Sequence, residues 1–104
     1  MFQKKEMIYS ETLGVCRVDD ITKLVNAKGQ GGMYYVLKAK YEKNKVSYIP
    51  VEEHKVVLRE LITEEEASSK VENDSYNKED YLECGELAFV LGKEIEELQG
   101  ITEE

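Results

Sequence analysis

Residues 33–51 read MYYVLKAKYEKNKVSYIPV, two β-rich runs flanking a short lysine-rich connector. Tyr, Val and Ile fit a pleated, half-buried surface, and Asn44 tolerates the left-handed backbone that a tight connector needs. The stretch therefore predicts a β-hairpin. In the first run Met33, Tyr35, Leu37 and Ala39 share one face, because successive side chains alternate. Tyr34 and Val36 on the other face are also large and apolar, so neither face is plainly solvated. That pattern suits a central strand of a small barrel better than an exposed ribbon. Pro50, the single proline, has no N–H to give to a ladder and belongs at a strand end or on an edge.

Upstream, residues 6–10 form a short apolar-rich run consistent with a first strand. Gly14 then precedes a strand pattern over residues 15–21 that can extend to residue 26. Gly14 supplies a backbone conformation or close approach that a side chain would block. Residues 27–32 contain three glycines and read as a flexible hairpin tip. Their spacing is wrong for a dinucleotide fingerprint, and they lead into a strand instead of a helix. Downstream, residues 52–55 make a polar turn and residues 56–60 a closing strand. About five short strands without an intervening helix predict a small antiparallel barrel of SH3 or Tudor type over residues 1–62.

The pattern changes at Thr63. Thr63 followed by Glu66 has capping-box spacing, and the acidic first turn suits the positive end of a helix dipole. A second helix is expected after Asn77 as N-cap, with Cys84, Leu87, Ala88, Leu91, Ile95 and Leu98 forming an apolar stripe. Gly85 and Gly92 weaken it, leaving a kink or two shorter helices open, and Gly100 is a plausible stop. The expected fold class is mainly β with a C-terminal α appendage: the barrel, then one or two helices in an acidic tail over residues 63–104.

Charge follows the same division. Residues 1–62 carry eleven Lys or Arg and eight Asp or Glu, a net +3; residues 63–104 carry three and fourteen, a net −11. Such a tail repels phosphate, so direct DNA binding through it is disfavoured. No stretch approaches the ~20 apolar residues of a membrane span, and no apolar signal core opens the chain, so a cytoplasmic location without a membrane partner is the expectation. Cys16 and Cys84 belong to no paired-cysteine motif and read as buried small hydrophobes. His54, the only histidine, reads as a loop residue. One histidine cannot orient a nucleophile and no zinc or HExxH spacing occurs, so neither an enzyme, a cofactor nor a metal is expected. Small barrels without catalytic groups commonly bind macromolecules through strand edges and loops.

Five segments carry a resemblance: Met7-Ile8-Tyr9, Leu13-Gly14-Val15-Cys16-Arg17-Val18, Tyr35-Val36-Leu37, Val46-Ser47-Tyr48-Ile49-Pro50-Val51 and Val57-Leu58-Arg59. In this order and spacing they resemble the RNA-polymerase-interacting domain of the CarD family, shared with the transcription-repair coupling factor. The resemblance spans residues 2–62. It implies a Tudor-like barrel that binds the β subunit of bacterial RNA polymerase by pairing along a strand edge. The residues it implicates are Val46, Ser47, Tyr48, Ile49 and Pro50 on that edge, and Lys23 as a basic contact. Lys5-Glu6 stands where the family has Gly-Asp, Ser10 where it has proline, and Tyr48 where a basic side chain is common. The family's larger helical DNA-binding domain carries a tryptophan, and this chain has none; DNA binding is therefore not carried over.

The leading expectation is a CarD-like transcription regulator that binds the polymerase β subunit. The alternative is a stand-alone SH3/Tudor-type interaction module with a different partner, forming a homodimer through the helix over residues 78–99.

Overall fold

The computed structural model describes residues 1–100. The elements run β1 (Met7–Ser10), β2 (Gly14–Val25), β3 (Gly31–Ala39), β4 (Val46–Pro50), β5 (Leu58–Glu60), α1 (Glu64–Glu72), α2 (Tyr81–Leu91) and α3 (Ile95–Gln99). The chain is mainly β, with helices after the strands. The strands form one open sheet in the order β4-β3-β2-β1-β5, and β1 to β4 pair antiparallel with their sequence neighbours. Two compact units divide at residues 59 and 60.

Within the first unit, β2 is the long element, at 12 residues. Residues 14–17 pair with β1, and residues 16–25 run along β3. The register with β3 shifts between Val18 and Asp20, so Asp19 is an extra residue of the bulge type that bends a strand and sharpens its twist. One core cluster joins Ile8, Leu13, Cys16, Val18, Tyr35, Leu37, Ala39 and Ile49, with Phe2, Ile21, Val51, Val56 and Leu58 packed against it. Burying the Tyr35 ring also buries its hydroxyl, which must then find a partner. It accepts the Phe2 N–H at 3.1 Å, and the two rings lie 5.8 Å apart.

Polar side chains organise the turns. The fully buried Ser10 accepts from the Thr12 and Leu13 N–H groups at 3.2 and 3.4 Å, and Gly14 follows with φ +71°. Asn44 takes φ +63° between β3 and β4, as its sequence position predicts. The β2–β3 connector is shorter than the 27–32 expectation, because Gly31 and Gly32 already belong to β3. Asn26 ties the remaining tip, its side-chain oxygen accepting from the Lys28 and Gln30 N–H groups at 2.9 and 3.0 Å. The two glycines differ physically. A Cβ on Gly31 would lie 2.6 Å from the Leu24 carbonyl oxygen, whereas one on Gly32 would meet nothing within 4 Å.

In the second unit the Thr63 hydroxyl accepts the Glu66 N–H at 3.1 Å and starts α1. The start of α2 differs from the sequence reading. Asp80 caps it, accepting from the Leu82 and Glu83 N–H groups at 3.0 and 3.2 Å. Asn77 instead closes the preceding turn, accepting the Glu79 N–H at 2.9 Å. A carboxylate satisfies two orphan donors and adds charge at the positive helix end, so Asp80 is the stronger cap. The stripe also breaks: Gly92 adopts φ +68° and ends α2, and a Glu94–Glu97 capping box starts α3. Of the alternatives the stripe left open, two shorter helices form, so three helices stand among the described residues. Cys84, Leu87, Ala88, Ile95 and Leu98 are buried, and α2 packs with both α1 and α3. Tyr76 donates its hydroxyl to the Leu98 carbonyl at 2.6 Å. The buried Glu86 carboxylate accepts the Ile62 N–H at 3.1 Å.

Both cysteines are free and buried. Burial pushes the Cys16 thiol up to about 12. It also raises that of Cys84, with the Glu83 and Asp80 charges adding to the effect. Neither thiol is a ready nucleophile.

Gly31→Ala should cost about 1–3 kcal/mol in urea unfolding, because the Leu24 carbonyl cannot yield without disturbing the ladder. Gly32→Ala should leave the midpoint within about 0.5 kcal/mol of the parent. For Cys16 the unfolded chain loses its thiol proton near the ordinary value of 9.0, and the folded chain only near about 12. The Cys16 contribution is therefore whole below that lower value and lost as pH rises through the window. Urea unfolding across it should show a shallower alkaline decline for Cys16→Ala than for the parent, each measured against its own neutral-pH stability.

Candidate partner-binding edge

Among the described residues β4 ends the sheet on one side, with β3 as its only strand neighbour. The register aligns Lys38 with Val46, Leu37 with Ser47, Val36 with Tyr48, Tyr35 with Ile49 and Tyr34 with Pro50. The Ala39 N–H donates to the Lys45 carbonyl at 3.0 Å, and the Val51 N–H to the Met33 carbonyl at 2.9 Å. Backbone groups alternate in direction along an antiparallel strand. Residues 45, 47, 49 and 51 therefore face β3, while the N–H and C=O groups of Val46 and Tyr48 face away from it. Pro50 falls on the outward side too, where its missing N–H removes no bond from the sheet. Its carbonyl remains as an outward acceptor.

Side chains alternate with the backbone. Ile49 enters the core at 7% exposure, whereas Tyr48 and Val46 are 55% and 47% exposed. Ser47 and Pro50 are half-buried. Tyr48 shares the outer face with Val36, and Pro50 shares it with Tyr34. The structure does not bring Lys23 to this face. Lys23 pairs with Met33, which shares the Tyr35 side of β3, so Lys23 and Tyr48 emerge on opposite faces two strands apart.

The two ends of β4 differ. At the Val46 end lie the exposed Lys38, Lys40, Lys43 and Lys45, with Lys45 3.1 Å from the Glu42 carboxylate. At the Pro50 end an open groove of about 590 Å³ has Leu24, Gly32, Met33, Tyr34 and Pro50 among its apolar lining and Asn26, Gln30 and Glu52 on its polar side. The exposed Glu52 and Glu53 follow. The sequence reading passed over this groove. Its one available signal was a second glycine, Gly32, at the start of a strand that has no steric need for it.

Elsewhere, the Arg59 guanidinium sits 4.2 Å from the Tyr9 ring centroid, within cation–π range. His54 places Nδ1 2.8 Å from the Val56 carbonyl oxygen and is a loop residue. Among the described residues no helix is long and apolar enough to cross a membrane. No family model, curated protein or solved structure matches the chain.

The two sides of β4 should separate cleanly by mutation. Ile49→Ala should cost about 2–5 kcal/mol in urea unfolding, as for a buried aliphatic side chain. Tyr48→Ala should stay within about 0.5 kcal/mol of the parent.

Proposed function

We propose that this chain is a CarD-like transcription regulator that binds the β subunit of bacterial RNA polymerase by adding a polymerase strand to β4. The observation that carries this reading is the outward row of Val46 and Tyr48 backbone groups on an end strand, closed by Pro50. Strand addition draws its affinity from such main-chain groups and its selectivity from the alternating side chains. The five-segment resemblance supplies the partner. Val46, Ser47, Tyr48, Ile49 and Pro50 are the paired segment, with Ile49 anchoring it from inside. Lys23 is a separate basic contact on the other face.

The finer architecture in this reading is a small SH3/Tudor-like barrel. The Asp19 bulge supplies the bend in β2 that curling requires. One cluster gathers Ile49 and Val51 with Ile8, Val56 and Leu58, so contributions from both ends of the sheet meet in one core. A cytoplasmic location accompanies a polymerase partner. The tail takes no DNA in this reading, since fourteen acidic residues against three lysines over residues 63–104 repel phosphate.

A second reading is a stand-alone SH3/Tudor-type module that offers the same edge to another protein. Tyr48 favours it, standing where the family commonly carries a basic side chain. The dimer attached to that reading has little apolar surface to use, because most of the α2–α3 stripe is buried within the single chain.

The test is binding of the full chain to the isolated β-subunit lobe, alongside Tyr48→Pro. That substitution deletes an outward N–H while sparing every bond to β3. The wild type should bind, and Tyr48→Pro should bind at least about tenfold more weakly, the loss of about 1.4 kcal/mol, while circular dichroism shows an intact fold. Absence of wild-type binding would contradict the polymerase reading. Equal binding by a folded Tyr48→Pro would contradict strand addition.

A further inference from the structure

We propose that the β4 edge selects a polypeptide strand of defined polarity, acidic where it passes Val46 and apolar where it passes Pro50, with its apolar side chain seated over Gly32. The inference rests on strand addition to β4 and names the chemistry of the segment that is added.

Charge complementarity orients the strand. Lys38 stands opposite Val46 on the neighbouring strand, and Lys40, Lys43 and Lys45 surround the adjoining connector. Glu42 is the single carboxylate among residues 38–45. That end attracts carboxylates. The other end reverses sign, with Glu52 and Glu53 just past Pro50, so an acidic segment is repelled there.

The ladder must also stop at the Pro50 end. Val46 and Tyr48 each offer an N–H and a C=O, but Pro50 offers only its carbonyl. A strand paired along β4 loses its reciprocal bond at Pro50, so past that residue the partner leaves the edge and crosses the end of β4 to the groove, which lies over β3. Gly32 has nothing within 4 Å of its missing side chain, and Leu24 and Tyr34 flank it. The space suits one aliphatic or aromatic side chain of the partner, which would cover apolar surface now open to water. The step from Val46 to Pro50 is about 13 Å at ~3.3 Å per residue. A segment of about seven residues therefore reaches both ends.

The test uses the ¹⁵N-labelled full chain and blocked seven-residue peptides: EETTVLF, its reversal FLVTTEE to cover both strand directions, and controls EETTGSG and KKTTVLF. One of the first two should shift the Val46, Tyr48, Gly32 and Tyr34 amides saturably. Gly32→Val, whose Cβ would meet nothing within 4 Å and whose methyls narrow the groove between Leu24 and Tyr34, should weaken that peptide about tenfold and erase the preference over EETTGSG. Charge reversal at Lys43 and Lys45 should weaken it about threefold per residue and remove discrimination against KKTTVLF, the range expected for exposed ion pairs. Shifts confined to the lysines, no saturable binding by either leading peptide, or equal binding by Gly32→Val would overturn the proposal. The same variants titrated with the polymerase β lobe separate the two claims. Lobe binding indifferent to Gly32→Val sinks this inference alone, and peptide binding without lobe binding sinks the polymerase reading alone.

Discussion

The structure depends on the register of β3 with its two neighbours. Tyr35 aligns with Ile21 on β2 and with Ile49 on β4, so one apolar row, buried at Tyr35 and Ile49 and half-buried at Ile21, crosses three strands. Sliding β4 by a single residue would send Tyr48 into the core and Ile49 to the surface. It would also exchange the inward and outward backbone groups, moving the proline onto a position that needs an N–H. Burial of Ile49, exposure of Tyr48 and tolerance of Pro50 are thus three consequences of one alignment. The proposed partner edge has no separate structural origin.

That alignment is secured at both ends of the central strand. Gly31 allows β3 to approach the Leu24 carbonyl, which a larger residue would force apart. Asn44 accepts the left-handed backbone at the other end. Between them the Tyr35 hydroxyl takes the Phe2 N–H, adding a polar tie to a row otherwise held by apolar contact. Such a tie is directional where hydrophobic burial is not, so it fixes how the Tyr35 ring sits in the core.

The hairpin was legible because alternation and a lone proline act locally. Val, Ile and Tyr at period two mark strands, Asn44 marks the turn, and Pro50 can stand only where a missing donor is harmless. What the sequence hid depends on competition between near-equal candidates or on space between distant residues. Asn77 and Asp80 are both good caps, and the choice between them turns on which one satisfies two amides at once. Gly92 could sit inside a helix at a modest cost or end one in the left-handed conformation, and periodicity passes through it either way. The groove beside Gly32 exists only after β2, β3 and β4 are brought together. The family resemblance names Lys23 and Tyr48 as separate contacts, and only strand parity shows that they lie on opposite faces.

The most direct measurement of the central claim, that β4 presents a free hydrogen-bonding edge, is amide hydrogen exchange along residues 46–51. The account predicts rapid exchange at Val46 and Tyr48 beside protection at Ser47, Ile49 and Val51, with the Tyr48 amide becoming protected when the polymerase β lobe is added. Uniform protection of all five amides in the free protein would contradict it, because the outward groups would then already be paired.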